Sequence, residues 1–129
     1  MTTALKYEGF VPGRQLLDAY GNGGFRFGDM SHQGSILMLP SGVHAWPVMQ
    51  FSQMTLASLQ PLFDEPRGAV DLLLLGVGLE MQFVRESFRQ KLRDAGIMLE
   101  VMQTGAAART YNILAQENRK VATALIAVA

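Results

Sequence analysis

The fold of this chain is decided by the stretch AVDLLLLGVG at residues 69–78. Its apolar positions follow one another almost without interruption and end at a Gly-Val-Gly turn, which is the pattern of a β-strand buried on both faces. Two further apolar runs come later in the chain, IMLEVM at residues 97–102 and VATALIAVA at residues 121–129. The second half of the chain is therefore predicted to contain three strands, and the many alanines of the last one indicate helices packed closely on both of its sides.

Helical patterns separate these strands. The first helix is predicted from apolar residues at three- and four-residue spacing: Met81, Val84, Phe88, Leu92 and Ala95. A second helix is predicted over residues 105–117, with Thr104 as its N-cap. The order strand–helix–strand–helix–strand indicates an α/β core with two parallel strands joined by a right-handed crossover.

The part of the chain before residue 51 is rich in glycine and in short apolar bursts. Pro-Gly and Gly-Asn-Gly-Gly sequences punctuate it and mark turns. An antiparallel strand system is predicted here, with extended segments at residues 5–11, 25–27, 35–39 and 43–48. A short helix is predicted to follow at residues 56–63.

Composition sets limits on function. With 129 residues, the chain has enough material for one core, and residues 1–129 are predicted to form a single domain. The 49% hydrophobic and 17% charged content excludes intrinsic disorder. Eleven basic residues balance eleven acidic ones, so no overall field attracts nucleic acid. The absence of cysteine excludes disulfide frameworks, thiol catalysis and thiolate metal sites.

The sequence shows no targeting pattern. Its first residues carry neither an apolar signal-peptide core nor an Arg-rich, acid-poor leader. The most apolar tracts, residues 69–79 and 121–129, are shorter than the ~20 residues that a membrane-spanning helix needs. We therefore expect a cytoplasmic protein without membrane insertion.

Two predicted strand ends carry residues suited to an anion. Parallel neighbouring strands bring these ends to one edge of the sheet, where open α/β sheets bind ligands. The candidate ligand-binding residues are Gly76, Val77, Gly78, Gln103, Thr104 and Arg109. The alternative is that these residues have structural roles only: the glycines allow a tight turn, the threonine caps a helix, and the arginine is solvated. The dinucleotide-binding fingerprint fails, because position 81 is Met where a third glycine is required.

No catalytic constellation is recognisable. His32 follows Asp29 closely, but neighbours in sequence do not normally converge as a catalytic relay. Together with His44 it lacks metal-ligand spacing. The sequence thus predicts no catalytic residues, no metal and no cofactor.

Binding is the class of function that remains. Trp46, beside Pro47, is either an exposed anchor for a partner or a residue that closes the core. The zero net charge and the apolar composition are compatible with a homo-oligomer, although no motif defines a dimer.

Several segments together resemble a known family. They are residues 32–36, Trp46 with Pro47, residues 76–78, Thr104 with Ala107, residues 110–114 and residues 117–122. The sequence resembles the small α/β domain family of unknown function first seen in a methanogen protein. That family is shared with mitochondrial complex I assembly factor three and the adipogenesis-associated protein of the same domain. The likeness spans nearly the whole chain and is most specific from Gly76 to Val121.

The resemblance implies a three-layer fold with a central mixed sheet, whose last strand is central and antiparallel. It also implies a non-catalytic, assembly-factor-like module with an unknown protein partner, assisting assembly of a membrane-associated complex. The organelle role is not carried over, because no mitochondrial leader pattern is present. The second hypothesis is a small-molecule protein or enzyme that uses the strand-end loops for an anionic ligand.

Overall fold

A computed structural model describes residues 9–129 as a six-stranded mixed sheet, a three-stranded antiparallel sheet and three α-helices. The strands are β1 (Phe10–Pro12), β2 (Ala19–Gly21), β3 (Gly24–Phe27), β4 (Met30–Gln33), β5 (Ser35–Leu39), β6 (Gly42–Trp46), β7 (Leu72–Gly76), β8 (Met98–Met102) and β9 (Val121–Leu125). The helices are α1 (Gln60–Phe63), α2 (Glu86–Asp94) and α3 (Thr104–Gln116), and single 3-10 turns span Phe51–Gln53 and Ala57–Leu59. The strand predicted at residues 5–11 falls partly outside the described residues, and its described part begins at Phe10.

The large sheet has the strand order β1-β6-β5-β9-β7-β8, so the last strand of the chain lies inside it. The predicted central position of β9 is confirmed. Its predicted antiparallel orientation holds toward β5 but is wrong toward β7, to which β9 runs parallel. Helix α3 carries the chain from the end of β8 back to the opposite edge of the sheet, where β9 begins. β9 therefore runs parallel to β7, as β8 does.

The last strand is shorter than its apolar run. β9 ends at Leu125, whereas the run continues to residue 129. The neighbouring strands do not continue beyond this point, because β7 ends at Gly76 and β5 begins at Ser35. The Ile126 amide donates to the Gly76 carbonyl oxygen, and the Ala127 amide donates to the Ser35 hydroxyl oxygen, at 2.9 Å each.

The sheet separates two apolar cores, which confirms the predicted three layers. One face of β9 presents Ala122 and Ala124 to the core that also holds Trp46 and the helix α2 residue Leu92. The opposite face belongs to the core formed with α3 and the three-stranded sheet. Helix α3 packs on the β9 face that carries Val121 and Leu125, whereas α2 packs on β8, so the predicted close packing of helices on both sides of β9 is met on one side only.

The helices α2 and α3 lie on opposite faces of the sheet. The chain leaves β7, passes through α2 on one face and returns as β8, the outermost strand. It then passes through α3 on the other face and returns as β9, on the far side of β7. The carboxyl ends of β7 and β8 therefore form a topological switch point.

Helix α2 begins later than its apolar periodicity predicts. Met81 and Val84 belong to the loop at residues 77–85, and the helix starts only at Glu86. Gly78, at φ +98°, turns the chain away from β7, and Arg85 is still extended at φ −62° and ψ 145°. Met81 and Val84 therefore match the helical spacing by chance, because both lie in the loop before the helix.

Side chains of α3 hold the segment between β1 and β2. The Tyr111 hydroxyl donates to the Gln15 carbonyl oxygen at 2.8 Å, and burial raises the pKa of this phenol, with Arg14 opposing the shift. The Asn112 amide makes two bonds to the backbone of Leu17, at 2.7 and 2.9 Å. This anchoring leads the chain into the three-stranded sheet that covers α3.

Candidate functional site

The switch point brings five of the six predicted ligand-binding residues together. Gly76, Val77 and Gly78 leave β7 beside Gln103 and Thr104, which leave β8. The Thr104 amide donates to the Gly78 carbonyl oxygen at 3.0 Å, and the Gly78 amide donates to the Thr104 hydroxyl oxygen at 2.9 Å. The two loops are thus bound to each other by a reciprocal pair of hydrogen bonds.

Thr104 does not cap α3, contrary to the sequence prediction. Gln103 occupies the N-cap position, and no side chain caps the helix there. The fully buried Thr104 hydroxyl also donates to the Ile126 carbonyl oxygen at 2.7 Å. One hydroxyl therefore joins the chain segments that follow β7, β8 and β9.

The close approach of these segments explains Gly76. A Cβ atom at this position would lie 2.9 Å from the Thr104 Cα and 2.8 Å from a Leu125 methyl carbon. Backbone at that distance leaves no room for a side chain without displacement. This packing favours the turn interpretation for the glycines, and a ligand at this loop stays a prediction.

The amides of the β7 loop are already bonded within the chain. Val77 donates its N–H to the Met102 carbonyl oxygen at 3.0 Å, and Gly78 donates to Thr104. The Gln103 side-chain amide donates to the Leu79 carbonyl oxygen at 2.7 Å. An anion at this place would have to compete with these internal acceptors.

Arg109 points to a different place from the glycine loop. Its guanidinium lies 3.3 Å from the Tyr20 hydroxyl, beside the first turn of α3. A Cβ atom on Gly105 would collide with the same hydroxyl, so Tyr20 covers the start of the helix. A surface cavity of about 290 Å³ adjoins them, lined in part by Ala108 and Asn112.

Trp46 is buried, with 2% of its surface exposed, and it closes the core. Of the two interpretations of this residue, the exposed anchor is wrong. Its indole N–H donates to the Ser58 carbonyl oxygen at 2.9 Å. This bond fixes the 3-10 turn Ala57–Leu59 against the sheet.

An exposed apolar loop lies beyond the switch point. Leu79, Met81 and Phe83 expose 69%, 58% and 83% of their surfaces, respectively. They follow one another at every second position between Gly78 and α2. We call these three residues the apolar loop. The sequence prediction missed it because Met81 was assigned to the buried stripe of a helix.

A groove runs beside this loop, between helix α2 and the segment before α1. It has a volume of about 540 Å³ and contains both aromatic and basic side chains. A second depression of about 650 Å³ shares Leu56 and Lys91 with it and extends toward Arg67. We call the two together the α2 groove, whose apolar lining residues are Phe51, Met54, Leu56, Phe63, Phe83 and Phe88.

The two histidines serve the strands that carry them. His32 is buried, and its Nε2 lies 2.7 Å from the Ser35 carbonyl oxygen. His44 packs against Phe10 with ring centroids 4.6 Å apart, and burial lowers its pKa, an effect that Glu65 partly offsets.

Within residues 9–129, no three His, Asp or Glu side chains are grouped so as to hold a metal ion. None of the helices in this described part is long and apolar enough to cross a membrane.

This sequence is similar to those of known proteins. Residues 17–126 match the family described as "Protein of unknown function (DUF498/DUF598)". An uncharacterized protein of Rhodobacter capsulatus is 37% identical over 124 residues, covering 95% of this chain and 92% of that protein. The Danio rerio protein named NADH dehydrogenase (ubiquinone) 1 alpha subcomplex assembly factor 3 is 31% identical over 111 residues. That match covers 86% of this chain but only 63% of the assembly factor.

A solved structure shares the fold. The crystal structure of a Bartonella henselae protein described as an outer membrane protein superposes with a TM-score of 0.85 at 42% sequence identity. The superposition covers 92% of this chain and 98% of the Bartonella protein. The mixed α/β architecture is therefore common to both proteins.

Proposed function

Because this chain belongs to the DUF498/DUF598 family of proteins of unknown function, we propose that it is a non-catalytic binding module that assists assembly of a membrane-associated protein complex. The observation that carries the proposal is the apolar loop beside the α2 groove. Phe83 exposes 83% of its surface, which is costly in water unless a partner covers it. Contiguous apolar patches of this kind are typical of interaction surfaces.

The kind of complex follows from the relatives. Proteins that match most of this chain are named as assembly factors of NADH dehydrogenase (ubiquinone). We extend that role to this chain, with a subunit of the same kind of complex as the protein partner. The chain spans less than two thirds of those assembly factors, so the proposal concerns the shared domain alone.

Deleting the gene in its host is expected to reduce assembled NADH dehydrogenase complex in the membrane fraction. Native gel electrophoresis with an in-gel NADH dehydrogenase stain measures the effect. The wild-type gene should restore the complex, and so should Met98→Ser, a change at an exposed methionine away from the apolar loop. The double variant Leu79→Ser/Phe83→Ser should not restore it. An unchanged amount of complex in the deletion strain would contradict the proposed function.

A second candidate function is the binding of a small anionic ligand at Arg109 and Tyr20, apart from the glycine loop. The observation that favours it is the cavity of about 290 Å³ that Arg109 and Tyr20 line, with Asp18 as its one acidic residue. A cationic side chain attracts an anion by its charge. In this arrangement Arg109 supplies the charge, and Tyr20 supplies a hydroxyl.

A thermal-shift screen with nucleotides, phosphorylated metabolites and carboxylates tests this second function. A ligand at ~100 times its dissociation constant stabilises the folded state by about 2.7 kcal/mol, which raises Tm by several degrees. The shift should disappear in Arg109→Ala and persist in Arg119→Ala, a matched change at an exposed arginine beyond α3. A shift that survives Arg109→Ala would remove Arg109 from the site.

A further inference from the structure

We infer that the α2 groove binds an amphipathic helix of a protein partner, with acidic residues flanking the apolar face of that helix. The inference rests on the proposed function, because it names the chemistry of the partner that the binding module holds. Four properties of the groove carry it: its backbone, its length, its charge and its concave shape.

The backbone of the groove favours a helix over an added β-strand. On one side, the 3-10 turns bond internally, with the amides of Met54, Ser58 and Leu59 donating to carbonyl oxygens three residues earlier. On the other side, α2 bonds within itself. A peptide that binds as an added β-strand needs an open strand edge for its own amides and carbonyls, and neither wall provides one. A helix satisfies its backbone internally and needs only side-chain contacts.

Helix α2, one wall of the groove, is long enough to lie beside two to three turns of a bound helix. Helix α2, which forms one wall, has nine residues and is therefore about 13.5 Å long at 1.5 Å per residue. Apolar residues at positions i, i+3 or i+4, and i+7 of a bound helix span about 10.5 Å. Phe51, Phe88 and Phe63, distributed along the groove, can receive three such anchors.

The charge of the groove specifies an acidic partner. Its basic residues are Arg67, Arg85 and Lys91, and in the described part of the chain no carboxylate lies within ion-pair distance of them. The one acidic residue in the lining, Asp94, accepts a hydrogen bond from the Gln90 side chain at 2.8 Å. Because the net charge of the whole chain is zero, the positive charge of the groove is a local excess and not a reflection of the overall composition.

An anionic membrane also carries negative charge, but the groove fits it less well. Phe51 and Phe88 are half-buried and line the depression together with the exposed Phe83. A flat bilayer surface can take up the apolar loop, whereas a convex ligand contacts the half-buried Phe51 and Phe88 as well. A helix about 10 Å across has that shape.

Selection from a displayed library of helical peptides tests the inference with the purified full chain. The library is enriched on the wild-type protein after depletion on Phe83→Ser/Lys91→Glu, both changes being at exposed positions and checked for an unchanged Tm. Enriched peptides are expected to share apolar residues at i, i+3 or i+4, and i+7, with Asp or Glu beside them. The affinity should fall about tenfold in Phe83→Ser and about threefold in Lys91→Glu at low salt. Met98→Ser should leave it unchanged.

Three results would overturn the inference. The first is that no peptide is enriched, or that the enriched peptides lack the acidic bias. The second is that flotation with phosphatidylglycerol vesicles, but not the peptides, depends on Phe83 and Lys91, which would assign the surface to a membrane. The third is that Phe83→Ser/Lys91→Glu restores the complex in the deletion strain. In that case the groove inference fails while the assembly function stands. If instead the deletion strain keeps its normal amount of complex, the assembly function fails and the peptide result is unaffected.

Discussion

A chain that lacks residues 121–129 is expected to lose cooperative unfolding altogether. Strand β9 is the only strand that pairs with both β5 and β7 in the described sheet. Without it, the antiparallel part formed by β1, β6 and β5 has no hydrogen-bonded connection to β7 and β8. Residues 121–126 are all buried, and each larger apolar side chain among them contributes roughly 1.5–3 kcal/mol. For Val121, Leu125 and Ile126 together this is roughly 4.5–9 kcal/mol, which is comparable with the whole stability of a marginal domain, about 5–15 kcal/mol, and the hydrogen bonds to β5 and β7 are lost as well.

Thermal melting followed by far-ultraviolet circular dichroism, together with limited proteolysis, measures this effect. The control is deletion of Ala129 alone, an exposed residue, which should melt cooperatively like the full chain. Should the shortened chain instead melt in one sharp transition near the temperature of the full chain, the central placement of β9 would be refuted.

The second large effect is expected from Thr104→Val, at about 2–5 kcal/mol of lost stability. Valine has nearly the shape of threonine, so the change removes the hydroxyl and little else. The Gly78 amide then loses its acceptor and the Ile126 carbonyl oxygen loses its donor. The bond to Ile126 is buried and the bond from Gly78 is partly buried, and an unpaired polar group is costly in such surroundings. Equilibrium unfolding in urea measures the difference.

Thr104→Ser is the matched control. It keeps the hydroxyl and removes one methyl group, so it should cost only about 1 kcal/mol. If valine and serine destabilise the protein equally, the hydroxyl has no special role and the junction depends on packing alone. Because Gly78 leads directly into Leu79, the valine variant should also loosen the apolar loop, which faster proteolytic cleavage at residues 79–83 would reveal.

The buried strands were predictable because their signal is local. A strand covered on both faces needs apolar residues at every position, and the runs around Leu72 and Val121 show this without any knowledge of their neighbours. The meeting of Gly78 and Thr104 was also predictable, since the carboxyl ends of parallel neighbours share an edge.

Other features depend on contacts between distant segments, which a local pattern does not contain. Arg109 turns toward Tyr20, a residue of the three-stranded sheet whose position the spacing of α3 does not encode. The α2 groove forms only where the segment around Phe51 packs beside Phe88. The late start of α2 shows a different source of error. Here the local pattern predicts a helical turn that the structure lacks, because loop residues can match a helical period by chance.

The central position of β9 has a consequence for the order in which the protein is made. Ribosomes synthesise a chain from its N-terminus, so both strands that flank β9 emerge well before it does. Until β9 is inserted, β5 and β7 each present an open, apolar edge, the kind of surface on which nascent chains aggregate. Closure of the sheet is therefore delayed until translation of this domain is nearly complete, and its most hazardous interval is the one before that last strand leaves the ribosome.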